Sequence, residues 1–137
     1  MPYIHVTLAT GRPKDRKRSL IKALTDTMEQ VLEVARHDIH VLLWELPTEN
    51  IGEAGEEPPP EMTNNVAVLM SEGRPPEVVL MLIKRLTDIV ESVLQVERKH
   101  VHLVVHEEPY RNIGEAGVPM DPPRVPHWYY HRIGSAR

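Results

Sequence analysis

The hexapeptide NIGEAG at Asn50–Gly55 is repeated without change at Asn112–Gly117, 62 positions further along the chain. The same offset aligns the two GRP tripeptides, and it aligns LIKALTD with LIKRLTD. Residues 2–55 align with residues 64–117 without a gap, and 24 of the 54 aligned positions are identical. An internal repeat of this kind determines the architecture. The sequence therefore indicates that one short unit was duplicated and fused.

Each copy has the pattern of a strand, a helix and a second strand. Ile4, Val6 and Leu8 alternate with other residues, which predicts a strand. The apolar residues after each GRP follow the i, i+3, i+4, i+7 spacing of a helix with one buried face. The segments IHVLLWEL and VHLVVHEE are rich in aliphatic and β-branched residues, so each predicts another strand. A helical crossover of this length predicts parallel strands within a unit.

The predicted fold class is α/β (α+β), with two tandem β-α-β units that form a four-stranded sheet with two helices on one face. We expect residues 1–137 to be a single domain. The first unit covers residues 2–55 and a proline-rich linker covers residues 56–63. The second unit covers residues 64–117, and residues 118–137 form a tail rich in proline and aromatic residues.

Composition excludes several classes of protein. The chain has 137 residues, a net charge of −4 and no cysteine, so it has no disulfides and no thiolate metal site. It has no basic stripe, which argues against a nucleic-acid partner. It has no apolar run of membrane-spanning length and no signal-peptide pattern, so we expect no membrane association and a cytoplasmic location.

The two helices cover one face of the predicted sheet and leave the other face open. Alternation places several apolar residues on this open face: Leu42, Trp44, Leu69 and Val104, together with Thr7. An apolar sheet face is usually buried by self-association. The sequence therefore predicts a homo-oligomer.

The chain begins MPYIHVTLATGRP, and a proline in second position cannot donate a backbone hydrogen bond to a sheet. The combination of Pro2, tandem β-α-β units and two Gly-Arg turns resembles the tautomerase superfamily over residues 2–117. Single units resemble the 4-oxalocrotonate tautomerase family, and the fused pair is also similar to the cis-3-chloroacrylic acid dehalogenase family. The resemblance implies a homotrimer with active sites across subunit contacts and no cofactor.

The resemblance also implies that the initiator methionine is removed and that Pro2 becomes the catalytic base. A terminal proline nitrogen is an amine, and an ordinary α-amine has a pKa of about 7.7–8.0. Burial in an apolar site disfavours its protonated form, so such an amine can act as a general base at neutral pH. The implied activity is cofactor-independent keto–enol tautomerisation of a small acidic 2-keto or enol substrate. The second copy has Asn64 in place of Pro2, so we expect one active site per chain.

Arginine binds carboxylates through a planar fork, and the two Gly-Arg turns supply Arg74 and Arg12. By resemblance, Arg74 faces the Pro2 site and binds the substrate carboxylate, and Arg12 is a second candidate from another surface. His40 and His102 stand where the tautomerase unit has its second arginine, and each is a candidate hydrogen-bond donor to the substrate.

Glu115 aligns, by resemblance, with the dehalogenase glutamate that activates water. Glu53 has the same context in the first copy, so a structural role for both remains open. His100, His102 and His106 alternate without a carboxylate in the same stripe, so the sequence predicts no metal site.

Three alternatives remain open. The same scaffold is compatible with hydration, dehalogenation or decarboxylation of small unsaturated or 3-oxo acids, using Pro2 and Glu115. The chain is also compatible with a non-catalytic oligomer that kept only the fold. Finally, Pro2 has a purely structural interpretation, in which it protects an edge strand from pairing.

Overall fold

A computed structural model describes residues 1–120 of the chain. The predicted aromatic cluster of the tail, Trp128–Tyr130, lies outside the described residues. The described elements, in chain order, are β1 (Tyr3–Ala9), α1 (Lys14–Leu32), β2 (His40–Leu46), β3 (Asn64–Ser71), α2 (Pro76–Leu94), β4 (Val101–Glu108), β5 (Gly114–Glu115) and β6 (Val118–Pro119).

The first four strands form one mixed sheet in the order β2-β1-β3-β4. β1 is parallel to β2, β3 is parallel to β4, and the central pair β1–β3 is antiparallel. The predicted β-α-β units and their parallel strand pairs are therefore confirmed. The interpretation of Pro2 as protection for an edge strand is wrong, because Pro2 precedes β1, which has a neighbour on both sides.

Both helices pack on one face of the sheet, and the main core lies between these two layers. The antiparallel arrangement of the helices places the start of each beside the end of the other, as Arg16 Nη1 shows by donating a hydrogen bond to Gln95 Oε1 at 3.3 Å. In the part of the chain that the structure describes, no helix combines the length and apolar character needed to cross a membrane.

The repeated hexapeptide forms a tight two-residue turn in each copy. Glu53 and Glu56 exchange two backbone hydrogen bonds, of 2.9 and 3.0 Å. Ala54 and Gly55 between them have φ values of 53° and 83°, which is the left-handed backbone of a type I′ turn. In the second copy the same turn joins β5 to β6, so this hairpin crosses the predicted boundary at residue 117. The positive φ at the second turn position accounts for the glycine that both copies have there, Gly55 and Gly117.

Candidate active site

One cavity brings the chain's N-terminus and Arg74 together. It has a volume of about 180 Å³, and we call it the Arg74 cavity. Its lining residues are Met1, Glu33, Val34, Ala35, Asp38, Ser71, Arg74, Tyr110 and Met120. Pro2 follows Met1 directly and is buried, and its carbonyl accepts a hydrogen bond from the backbone N–H of His40 at 3.1 Å.

Arg74 is held rigidly at the base of this cavity. Only 2% of its surface is exposed, although it is an arginine in a turn. Its Nη1 donates hydrogen bonds to the backbone carbonyl of Ser71 at 3.0 Å and to Ser71 Oγ at 3.2 Å. The residue lies just before α2, where the helix dipole is positive. A rigid cation at a helix N-terminus is suited to bind a carboxylate.

Burial lowers the pKa of Arg74 from its ordinary value to about 10, because the cation loses hydration. Tyr110 and Glu107 oppose this effect by favouring the charged form. A pKa near 10 still leaves the guanidinium protonated at neutral pH. The cavity therefore holds a fixed positive charge.

Part of the wall of the Arg74 cavity is acidic. Glu33 and Asp38 line it, and Glu33 caps the end of α1 with a left-handed backbone. The sequence interpretation missed both carboxylates and also Tyr110, which is 8% exposed. No motif in the sequence marks these three positions. The two copies differ at each of them, with Gln95, His100 and Thr48 as the respective counterparts.

Glu115 lines a neighbouring cavity of about 350 Å³ rather than the Arg74 cavity itself. His37 also lines this second cavity, and Asp38 and Met120 line both. The two cavities therefore adjoin, and Glu115 lines only the second.

Arg12 occupies the position equivalent to that of Arg74, but its surroundings differ. Its Nη2 donates a hydrogen bond to Oδ1 of Asn64 at 3.2 Å, and Asn64 is the counterpart of Pro2. Burial lowers the pKa of Arg12, and the nearby Arg16 adds to the effect. Within the protomer, Arg12 does not line the Arg74 cavity. A substrate-binding role for Arg12 would therefore require another subunit, and it stays a prediction.

His40 and His102 lie on the open face of the sheet and not in the Arg74 cavity. The ring of His40 lies 5.1 Å from that of Tyr3. His102 lines a cavity of about 480 Å³ on the open face, together with His5, His106 and Glu53. The substrate-binding roles predicted for both histidines also require a second subunit and stay predictions.

Of the three histidines that the sequence places in alternation, only two belong to the strand. His100 ends a 3₁₀ turn before β4, so only His102 and His106 belong to the strand. Among residues 1–120, no group of three or more histidine, aspartate or glutamate side chains is arranged to hold a metal ion.

Comparisons with known proteins find relatives of the first unit. A family model described as "Tautomerase enzyme" matches residues 2–58, which cover the first unit and the start of the linker. A probable tautomerase of Listeria innocua is 31% identical over 55 residues, which cover 40% of this chain and 90% of the relative. A probable tautomerase of Ralstonia nicotianae is 38% identical over 55 residues, which cover 40% of this chain and 79% of the relative.

Solved structures match both units together. A fused 4-OT, described as a wild-type asymmetric trimer, is 27% identical with a TM-score of 0.81, and the match covers 85% of this chain and 94% of that one. A member of the cis-3-chloroacrylic acid dehalogenase family is 21% identical with a TM-score of 0.76. That match covers 97% of this chain and 99% of the other, and it shows a shared fold.

Proposed function

We propose, from the premise that this chain belongs to the tautomerase family of enzymes, that it is a cofactor-independent keto–enol tautomerase. Its substrate is a small acidic 2-keto or enol compound. Pro2, after removal of Met1, is the general base, and Arg74 binds the substrate carboxylate. The proposal extends the family assignment to a reaction and to named residues.

One observation carries the proposal. The buried guanidinium of Arg74 lines the same cavity as Met1, the residue whose removal would free the nitrogen of Pro2. Loss of Met1 would also vacate the part of the cavity that Met1 now lines. The site then contains an amine, a fixed cation and space for a small acid.

The chemistry requires little more than these groups. The carboxylate of the enol pairs with Arg74, which orients the adjacent enol carbons toward Pro2. The neutral amine accepts the proton of the enol hydroxyl, and the oxygen electron pair forms the carbonyl as the carbon–carbon double bond opens. The resulting ammonium delivers the proton to the substrate carbon. The reverse sequence converts the ketone to the enol, and no redox step occurs.

The test is the ketonisation rate of phenylenolpyruvate and 2-hydroxymuconate with the wild type and with Pro2→Ala. Intact mass must show that Met1 is absent from both proteins, so that each has a free amine. We expect a Pro2→Ala loss in kcat/KM of about 100-fold, within the range of general-base catalysis. Wild-type protein that converts neither enol, or a variant as fast as the wild type, would contradict the proposal.

We further propose that the working form is a homotrimer. The fused 4-OT structures similar to this chain are described as trimers. The open sheet face of this protomer carries Trp44 and Val104, which are 55% and 54% exposed. A threefold assembly would bury such residues, and it would also allow Arg12, His40 and His102 to reach a neighbour's cavity.

The position of Glu115 favours a second candidate reaction, the addition of water to a small unsaturated acid. Glu115 lines the cavity adjoining the Arg74 cavity, where a carboxylate could activate water while Pro2 supplies a proton. The substitution Glu115→Gln distinguishes the two reactions. It should abolish hydration of an unsaturated three-carbon acid and leave the ketonisation of phenylenolpyruvate intact.

A further inference from the structure

We infer that the site selects monocarboxylates and rejects dicarboxylates, with Glu33 and Asp38 as the residues that exclude a second carboxylate. The inference rests on the proposed function, and it specifies the substrate as an enol or 2-oxo acid whose far end is uncharged.

The positive end of the Arg74 cavity has capacity for one carboxylate. Of the side chains among the described residues that line this cavity, that of Arg74 is the only basic one. It precedes the N-terminus of α2, so the helix dipole reinforces its charge. One carboxylate that binds bidentately accepts both parallel N–H hydrogen bonds that one edge of a guanidinium can donate.

The negative end is formed by the C-terminus of α1. Its carbonyl groups give this end a partial negative charge, and the last turn of α1 contains no basic residue to offset it. Glu33 follows directly as the cap and adds a full negative charge. Asp38 adds a second on the same wall, and Glu115 lies beyond it in the adjoining cavity.

Few cations oppose this acidic wall. His37 lies closest, with its Nε2 3.5 Å from Asp38 Oδ1, and it carries charge only when protonated. Arg36, one residue earlier in the chain, is instead bonded to Asp26 on α1 at 2.7 Å.

Because the cavity is only about 180 Å³, a diacid bound through Arg74 would bring its second carboxylate close to Glu33 and Asp38. Like charges at close range are unfavourable, and water in the partly exposed cavity reduces the penalty without removing it. An uncharged alkyl, vinyl or aryl end meets no such repulsion. We expect a preference of roughly ten-fold or more in kcat/KM for the monoacid.

The test compares two enols that differ by one carboxylate, 2-hydroxypenta-2,4-dienoate and 2-hydroxymuconate. The wild-type oligomer without Met1 is assayed at about pH 8, where imidazoles are ordinarily neutral. The variants are Glu33→Gln, Asp38→Asn and the double substitution. Gln95, the counterpart of Glu33, already caps α2 with a φ of 55°, so glutamine fits the same backbone. Added salt should also weaken the discrimination.

We expect the double variant to raise the kcat/KM ratio of diacid to monoacid by roughly ten-fold. The control Glu97→Gln removes one exposed charge away from the cavity and should leave the ratio unchanged. The inference would be overturned if the wild type converted the diacid as well as the monoacid. It would also be overturned if substitution of Glu33 and Asp38 left the kcat/KM ratio unchanged. In either case the proposed function stands.

Failure to convert either enol would instead overturn the proposed function. Calorimetric titration with 2-oxopentanoate and 2-oxohexanedioate then compares the binding of a monoacid and a diacid, which tests the inference without catalysis. Tighter binding of the monoacid, with a difference that disappears in the double variant, supports it. Equal or tighter binding of the diacid contradicts it.

Discussion

Asn64, the second-copy counterpart of Pro2, accepts a hydrogen bond at its Oδ1 from Nη2 of Arg12 over 3.2 Å. Arg74, the counterpart of Arg12, lies instead in a cavity beside the N-terminus. Each copy's arginine thus lies near the start of the other copy's first strand: Arg12 contacts Asn64, and Arg74 lies beside the N-terminus. An amide occupies one position, and a residue able to become an amine occupies the other. The two copies keep the same geometry and differ in chemistry.

The first prediction concerns the stability contributed by Asn64. This residue is fully buried, and its Nδ2 donates hydrogen bonds to the carbonyls of Glu61 at 2.7 Å and His100 at 3.1 Å. Asn64→Ala removes these donors and the acceptor for Arg12. We expect a loss of about 2–3 kcal/mol in the free energy of unfolding, because buried polar groups lose their partners. Urea unfolding followed by circular dichroism measures it. Asn50→Ala, at an exposed position, should change stability by less than about 0.5 kcal/mol.

The second prediction concerns substrate binding by Arg74. Arg74→Ala should lower kcat/KM for phenylenolpyruvate by about 100-fold, because a charged hydrogen-bonding partner contributes roughly 1.5–3 kcal/mol. Arg74→Lys should restore part of the loss, since lysine keeps the charge and lacks the planar fork.

Arg12→Ala is the matched comparison for Arg74→Ala. Its main effect should be on stability, because Arg12 is bonded to Asn64. A loss of activity as large as that of Arg74→Ala would show that Arg12 acts on substrate from a neighbouring subunit. Activity of Arg74→Ala within about three-fold of the wild type would contradict the role of Arg74.

The third prediction concerns the pH dependence of activity. Burial lowers the pKa of Arg74 to about 10, so its cation is lost at a lower pH than that of an ordinary arginine. Substrate carboxylate binds the protonated form, and kcat/KM should therefore fall as the pH rises above about 10. The measurement is a profile of kcat/KM corrected for the uncatalysed rate. Because phenols titrate in the same range, Tyr110→Phe is the control and should retain the fall. A flat profile to about pH 11 would contradict the assignment.

The fold was predictable from the sequence because duplication leaves a visible record. The repeated turn and the alternation in β1 located the elements of both units. The antiparallel pairing of β1 with β3 was not among the predictions, because strand direction between units depends on the path of the connecting residues 56–63. The interpretation of Pro2 as protection for an edge strand stayed open for the same reason. Only the pairing with β3 makes β1 a central strand.

The site was predictable only where a motif marked it. The resemblance indicated Pro2 and Arg74, and the structure brings Arg74 to the N-terminus. Glu33, Asp38 and Tyr110 belong to no motif, and their proximity to Arg74 results from the antiparallel packing of the helices and the turn after β4. The two copies differ at these three positions, but they differ at most other positions too, so the sequence alone could not single them out.

The fourth prediction concerns the strained turns of the repeated hexapeptide. Ala54 and Ala116 have φ values of 53° and 52°, a conformation that costs alanine roughly 1 kcal/mol and asparagine less. Ala54→Asn should therefore raise the free energy of unfolding by about 0.5–1 kcal/mol, and Ala116→Asn should do the same. Ala23→Asn is the control, because Ala23 lies inside α1 with a helical backbone and asparagine should not raise the free energy of unfolding there. The turn assignment would be wrong if Ala54→Asn destabilised the protein.

The last prediction concerns the open sheet face and the trimer. The indole of Trp44 stacks on the ring of His5 with centroids 6.0 Å apart, and 55% of Trp44 is exposed in the protomer. Trp44→Glu should place a charge in the proposed subunit contact and dissociate the proposed trimer, because an unpaired buried charge is strongly unfavourable. Sedimentation should then change from three copies of the 15.7 kDa chain to one, with loss of enol ketonisation.

Leu80→Glu is the control for this face, since Leu80 is 67% exposed but lies on α2, away from the sheet's open side. It should leave both mass and activity unchanged. Val104→Glu, on β4 of the second unit, repeats the test at an independent position and guards against misfolding of the Trp44 variant. An intact trimer in both sheet variants would mean that another surface joins the subunits. His40 and His102, on the open face, could then not contact the substrate of a neighbouring subunit.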